Sequence, residues 1–109
     1  MTAYAKMELL ARKDHLTELL NRRAIIERLE NEREHYLKTK KTFIVILSDI
    51  DDFKFYNDEY GHECGDYVIK TVSDILYSSI NENNSVARWG GDEFLMFLHD
   101  TRIDEGLNI

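Results

Sequence analysis

With 109 residues, the chain is long enough for one domain but too short for a large hydrophobic core. Its hydrophobic share of 43% and charged share of 32% indicate a globular protein, and its formal net charge of −7 argues against a nucleic-acid-binding surface. The longest apolar run is too short to span a bilayer and the single cysteine, Cys64, cannot form an internal disulfide, so we expect a cytoplasmic chain without membrane contact.

The first part of the chain is predicted to be helical. Residues 3–13 have the composition of a helix, and we interpret residues 1–13 as an incoming linker or signalling helix that precedes the domain. Asn21 is a favourable N-cap, and apolar residues at helical spacing follow it. A helix is therefore predicted from Arg22 to about Lys38.

A strand and a second long helix are predicted next. Residues 42–47 (TFIVIL) are β-branched and apolar without alternation, which predicts a central strand covered on both faces. A short helical turn then leads into a loop that carries Gly61 and Gly65. From about Cys64 to Ile80, apolar residues recur on one face, as in an amphipathic helix.

The last predicted elements are two strands of a hairpin. Residues 86–89 and 93–99 are predicted to be joined at Gly90 and Gly91, a glycine pair suited to the positive-φ positions of a tight turn. A further helix would begin near Arg102, as if the domain continued. The order helix, strand, helix, helix, strand, strand indicates an α/β or α+β fold with helices packed on a sheet.

Two carboxylates are predicted to meet at one end of this sheet. Asp49 lies at the carboxyl end of the predicted central strand, where open α/β sheets place their ligands, and Asp92 follows the hairpin turn. If the hairpin pairs beside that strand, both carboxylates reach one point. With a backbone carbonyl and water they would suit Mg²⁺, through which an acidic protein could hold a polyphosphate.

The same residues suggest two other interpretations. An Asp beside a Gly-Gly turn is, by itself, more often part of a solvated hairpin than a metal ligand. An EF-hand does not fit, because Phe53 stands at the third ligand position and Lys54 replaces the invariant loop glycine. The residues alone therefore leave the metal site and the solvated turn both open.

Three segments carry a resemblance to a known family. RWGGDEF (residues 88–94, the signature segment), DIDDFKFYNDEYGHECGD (residues 49–66) and DHLTELLNRR (residues 14–23, the entry segment) resemble motifs of the GGDEF family of diguanylate cyclases. Members of that family join two GTP molecules into cyclic di-GMP. The resemblance implies a nucleotide-cyclase or polymerase-palm-like fold with a ferredoxin-like sheet, here incomplete, in which residues 14–109 are the N-terminal two-thirds of the domain.

The resemblance also implies roles for the acidic residues and one lysine. Asp49 and Asp92 would bind Mg²⁺ or Mn²⁺, with Ile50 contributing its backbone carbonyl. Asp92 would also accept the proton of the attacking 3′-hydroxyl, with Glu93 as a supporting acid. Lys54 would lie near the phosphates and stabilise the charge of the transition state.

The remaining implied roles concern the nucleotide. Asn57 and Asp66 would hydrogen-bond the guanine edge, and His62 would contact the nucleotide from the same loop. Gly90 and Gly91 would let the backbone approach the nucleotide where a Cβ would intrude. Catalysis would require a homodimer of two GTP-loaded chains, under the control of an upstream sensor or receiver domain.

The chain departs from the family pattern in several places. Many members carry an inhibitory Arg-x-x-Asp site for their product, but here Asn81 and Asn84 stand at its ends, so we expect no feedback through this segment. In the entry segment, His15 and Glu18 replace a proline and a glycine that are common in the family.

The largest departure is length. The family domain continues with a strand beside the central one and with basic residues that hold the phosphates. We therefore expect this chain alone to be catalytically inactive, and its unpaired strand to pair with something else, such as a second copy. The alternative function is a regulatory module that binds GTP or a protein partner without turnover.

Overall fold

The computed structural model describes residues 2–3 and 11–102. Its elements, in chain order, are α1 (Arg22–Thr39), β1 (Ile44–Asp49), α2 (Phe53–Tyr60), α3 (His62–Ser79), β2 (Ser85–Arg88) and β3 (Glu93–Leu98). The predicted order of elements is confirmed. Most of the predicted incoming helix (residues 4–10) and of the predicted last helix (residues 103–109) lies outside the described residues.

Helix α1 begins and ends where local signals place it. The Asn21 side chain accepts a hydrogen bond of 2.9 Å from the Ala24 N–H, which confirms the predicted N-cap. The C-cap is Lys40, a left-handed residue (φ 61°) whose N–H donates to the Tyr36 carbonyl at 2.8 Å. Ile25 is fully buried, so α1 packs on the sheet through its first turns.

The sheet has three antiparallel strands in the order β1-β3-β2. Asp49 on β1 lies opposite Glu93 on β3, and Arg88 on β2 lies opposite Phe94 on β3. The end of β1, the beginning of β3 and the end of β2 therefore lie at the same end of the sheet. The signature segment connects β2 to β3 there.

The expectation of a central first strand covered on both faces is wrong for the described residues. There β1 pairs with β3 alone, and Val45 and Leu47 on β1 are 43% and 57% exposed. β3 (EFLMFL) is central instead, and five of its six residues are buried. The two apolar runs look alike in the sequence, and only pairing with β2 distinguishes them.

The core lies on both faces of β3. Phe94 and Met96 belong to a cluster with Ile69 of α3, whereas Leu95 and Phe97 belong to a second cluster with Ile25 of α1. Because successive strand residues point to opposite faces, this alternation places α3 on one side of the sheet and α1 on the other. The sheet with packed helices agrees with the predicted α+β class.

Helices α2 and α3 are joined more tightly than the sequence indicated. Gly61 (φ 91°) alone separates them, and Gly65 lies inside α3 rather than in a loop. Gly61 supplies the positive φ that such a short connection requires. Not every apolar residue of the predicted face of α3 is buried, since Ile75 is 59% exposed. Among the described residues, no helix has both the length and the hydropathy needed to cross a bilayer.

Candidate functional site

The acidic ends of β1 and β3 lie side by side. The Ile50 N–H donates a hydrogen bond of 3.1 Å to the Asp92 carbonyl, and the preceding residue, Asp49, is the register partner of Glu93. Asp49 is exposed, whereas Ile50, Asp92 and Glu93 are half-buried. The structure thus brings together the backbone segments of all three residues predicted as metal ligands.

The ligand atoms at this end of the sheet suit a hard cation. Two carboxylates and a backbone carbonyl offer only oxygen ligands, which Mg²⁺ and Mn²⁺ prefer. One of these carboxylates, Asp49, is exposed and therefore accessible to an ion and to phosphate oxygens. The ligand types of Asp49, Ile50 and Asp92, at this end of the sheet, fit a divalent metal site.

The signature segment forms a four-residue connection, and its glycines do not adopt the positive φ that was predicted. The N–H groups of Trp89 and Gly90 both donate to the Glu93 carbonyl, at 2.8 and 3.3 Å. Among the described glycines only Gly61 has a positive φ, so that expectation for Gly90 and Gly91 is wrong. The residues 89–92 make a longer connection than the two-residue turn that requires such angles.

A second group of predicted residues lies on α2 and α3. Asn57 of α2 and His62 of α3 are joined by a hydrogen bond of 3.0 Å between Nδ2 and Nδ1. Asp66 follows His62 by four positions in α3, so both lie on the same face of that helix. Lys54 lies in the first turn of α2 and is exposed. The structure therefore brings Asn57, His62 and Asp66 to one corner.

Gly65 explains how Asn57 and α3 approach each other. A Cβ on Gly65 would clash with the Asn57 side-chain oxygen and would lie 3.2 Å from Cζ of Phe53. The absence of a side chain therefore leaves room for the Asn57 amide beside α3. Three residues separate β1 from α2, so α2 begins a short connection away from Asp49 at the end of β1.

Arg88 links the signature segment to the entry segment, an interaction that the sequence did not indicate. Its guanidinium donates to the Gly91 carbonyl at 2.9 and 3.2 Å and lies 3.3 Å from both carboxylate oxygens of Asp14. The two side chains are only 20% and 17% exposed. Nothing in the sequence joins these residues, which are 74 positions apart, except their opposite charges within two recognisable motifs.

The environment of Asp14 favours its ionised form. Burial pushes its pKa upward, but hydrogen bonds from the Thr17 N–H and hydroxyl, together with the Arg88 charge, outweigh burial. The pKa of Asp14 therefore lies below the ordinary value of 3.8. Asp14 is thus an anion at neutral pH, and its ion pair with Arg88 joins the entry segment to the signature segment.

A comparison with protein-family models identifies the family of the chain. The family model described as "Diguanylate cyclase, GGDEF domain" matches residues 11–109.

This chain belongs to the GGDEF domain family.

Curated relatives agree with this membership. The GGDEF chain is 39% identical to diguanylate cyclase DgcS of Shewanella oneidensis over 95 residues, which are 87% of this chain and 32% of DgcS. It is 37% identical to diguanylate cyclase DosC of Escherichia coli over 94 residues, which are 86% of this chain and 20% of DosC. The chain thus spans about a third or less of the length of these relatives.

Solved GGDEF structures share the fold. Diguanylate cyclase SiaD of Pseudomonas aeruginosa, in complex with its activator SiaC, superposes with a TM-score of 0.88 at 33% identity, over 96% of this chain and 40% of that chain. The GGDEF domain of DgcB from Caulobacter crescentus, in complex with c-di-GMP, gives a TM-score of 0.83 at 32% identity, over 85% and 53% of the two chains. The predicted cyclase-like α+β fold is therefore confirmed, as an incomplete sheet.

Proposed function

We propose that this GGDEF chain carries the metal-binding and nucleotide-binding residues of a diguanylate cyclase, which condenses two GTP molecules into cyclic di-GMP and pyrophosphate. One observation carries the proposal: the hydrogen bond from the Ile50 N–H to the Asp92 carbonyl, 3.1 Å long, which holds the acidic ends of two strands together. The naming of relatives such as DgcS as diguanylate cyclases supports the reaction.

Asp49, Asp92 and the Ile50 carbonyl would hold the metal, which we propose to be Mg²⁺ or Mn²⁺. When bound, such an ion supplies Lewis acidity and neutralises phosphate charge. The exposed ammonium of Lys54 adds a second positive charge that can move toward the phosphates. The metal ion and Lys54 would thereby place positive charge at the point where an anionic substrate approaches a chain of net charge −7.

The chain's own acids would handle the proton in the reaction. The 3′-hydroxyl of one GTP attacks the α-phosphorus of the other, and the bond to the pyrophosphate leaving group breaks with its electron pair. Asp92 accepts the hydroxyl proton, with Glu93 as the supporting acid. A second displacement of the same kind closes the ring. Because each chain binds one nucleotide, two chains must face each other as a homodimer.

The corner of α2 and α3 would select guanine. Asn57 offers an amide and Asp66 a carboxylate, which together match the acceptor and donor groups of the guanine edge. His62, hydrogen-bonded to the Asn57 amide at 3.0 Å, would orient that amide and contact the nucleotide. An upstream sensor or receiver domain would set the geometry of the dimer, and the domain proper would begin at about residue 14.

A non-catalytic module that binds GTP or a protein is the second candidate function. The exposed β1 favours it, because Val45 and Leu47 are 43% and 57% exposed on a strand whose described pairing is with β3 alone. Such an edge accepts an additional strand readily. We expect the isolated chain to behave in this way, without turnover.

Nucleotide binding by the purified chain tests the site. Calorimetric titration should give GTP affinity that rises with Mg²⁺ and exceeds ATP affinity. The Asn57→Ala variant should lose at least about tenfold in GTP affinity, as expected for one bidentate base contact. The exposed Asp58→Asn in α2 is the control. Equal binding of ATP and GTP, unaffected by Asn57→Ala, would contradict the proposed site.

Product formation distinguishes the two candidate functions. In a full-length protein that contains this chain, the nearly isosteric Asp92→Asn should reduce cyclic di-GMP formation by at least about a hundredfold, because it removes both a metal ligand and the proton acceptor. Thermal unfolding should show the variant to be folded. GTP binding without product in the unmodified protein would establish the non-catalytic module instead.

A further inference from the structure

Two histidines and two carboxylates form a cluster at the end of the sheet remote from the signature segment. Glu32 and His35 lie on α1, whereas His99 and Asp100 directly follow β3. Each residue offers one ligand atom, and the four atoms all lie within 4.8 Å of one another. We call these four residues the His–carboxylate cluster. β3 begins at the signature segment and ends at this cluster, so the two sites are separated by the length of the strand.

The distances within the His–carboxylate cluster match those between neighbouring metal ligands. The two Asp100 oxygens lie 3.1 Å from His35 Nε2 and 3.3 Å from His99 Nε2. Ligands at the usual Zn–N and Zn–O distances on a tetrahedral ion are separated by about 3.3 Å. The imidazole rings of His35 and His99 are stacked, with centroids 5.2 Å apart, so that both present nitrogen atoms to the same carboxylate.

Glu32 provides a second and independent indication of a ligand. Its side chain is only 7% exposed, and its Oε2 lies 2.6 Å from His99 Nδ1, so the carboxylate is directed into the cluster. The other oxygen, Oε1, is buried and has no hydrogen-bond partner among the residues that the structure describes. A buried carboxylate with an unsatisfied oxygen is costly unless a positive charge lies close to it. A cation in the cluster would provide that charge.

We propose that the His–carboxylate cluster is a binding site for a divalent transition-metal cation, with Zn²⁺ as the best match. His35 Nε2, His99 Nε2 and an Asp100 oxygen coordinate the ion. Glu32 accepts a hydrogen bond from His99 Nδ1–H and so fixes the tautomer that leaves Nε2 free for the metal, an arrangement common in zinc sites. Two imidazoles favour Zn²⁺ over Mg²⁺ and Ca²⁺, which take oxygen ligands.

The surroundings allow an ion to enter. The side chains of His35, His99 and Asp100 are 36%, 33% and 31% exposed. The Lys41 ammonium lies 3.9 Å from Asp100 Oδ2, but its side chain is 63% exposed and can move into solvent. A bound ion would tie α1 to the segment that follows β3, and these elements are 67 positions apart at Glu32 and His99.

Zinc titration of the purified chain tests the proposal. Calorimetry should give one Zn²⁺ bound per chain, with little competition from Mg²⁺. We expect His99→Gln and Asp100→Asn to weaken binding at least about a hundredfold, and Glu32→Gln to weaken it about 10- to 100-fold through the orientation of His99. Zn²⁺ should raise the melting temperature of the unmodified chain but not that of His99→Gln.

Matched controls use ligand-type residues outside the cluster. His15→Gln and Cys64→Ser remove an imidazole and the only thiol elsewhere in the chain and should leave zinc affinity unchanged. If His99→Gln does not fold, the more exposed His35→Gln gives the same test. The proposal is overturned if the unmodified chain does not bind Zn²⁺, or if His15→Gln or Cys64→Ser weakens binding as much as the cluster variants do.

Discussion

The carboxylate of Glu93 lies against Gly90, in the space that a Cβ on this glycine would fill. The same residue accepts two backbone hydrogen bonds, from Trp89 and Gly90, through its carbonyl. The close contact at Gly90 is therefore with a neighbouring side chain, and this glycine has no positive φ. Gly91 differs, because a Cβ there would meet no atom of the described residues within 4 Å.

This difference predicts unequal effects of two glycine substitutions. Gly90→Ala should displace the Glu93 carboxylate, whereas Gly91→Ala should leave it in place. Because the displaced atoms are the end of a flexible side chain, we expect both variants to keep their free energy of unfolding within about 1 kcal/mol. NMR chemical shifts of Glu93 should change in Gly90→Ala only. Equal shifts in both variants would show that Gly90 has no special packing role.

The ion pair between Arg88 and Asp14 should contribute measurably to stability. Asp14→Asn keeps the size of the side chain but removes the charge, leaving the largely buried guanidinium without its anion. We expect the free energy of unfolding to fall by about 1–3 kcal/mol. Urea denaturation measures this change. The exposed Asp58→Asn should stay within about 0.5 kcal/mol of the unmodified chain, and an equal loss in both variants would contradict the prediction.

Acid should remove the contribution of Asp14. Its pKa in the folded chain is lower than the ordinary value of 3.8, so folding favours the charged carboxylate. The stabilisation is fully present at pH values well above 3.8, declines as the pH falls below that value, and is lost below the folded pKa. The stability difference between the unmodified chain and Asp14→Asn should therefore be constant near neutral pH and shrink in acid. A stability difference that increased in acid would contradict the prediction.

The central position of β3 predicts a contrast between two leucines. Leu98 on β3 is fully buried, whereas Leu37 on α1 is 55% exposed. Leu98→Ala should lower the free energy of unfolding by about 2–5 kcal/mol, the range for a leucine removed from a packed core. Leu37→Ala should change it by less than about 1 kcal/mol. Similar losses from both substitutions, measured by urea denaturation, would argue against β3 as the core strand.

Features that depend on neighbouring residues were predictable from the sequence. The start of α1 follows from Asn21, whose side chain caps an N–H three positions away. The order of the elements likewise follows from local periodicity and from residues suited to turns, although the loop predicted around Gly61 and Gly65 is the single residue Gly61. The resemblance to GGDEF proteins depends on short motifs, and the family match confirms it.

Which strand is central could not be predicted in this way. β1 and β3 are both apolar runs, and the difference between them arises because β3 pairs with both β1 and β2. The apolar face predicted for α3 was also too broad, because Ile75 has the spacing of a buried residue but is exposed to solvent. Burial of a given residue depends on what packs against it, and that partner is distant in the chain.

By itself, the amino-acid sequence determined the helices, the strands, the family and the residue types available for chemistry. Only the tertiary structure decided which of those residues meet. Ile50 reaches Asp92, Arg88 reaches Asp14 and His99 reaches Glu32 across 42, 74 and 67 positions respectively. Local signals act within a few residues, whereas these contacts form because the antiparallel sheet and the two helices packed on its faces bring distant backbone segments together.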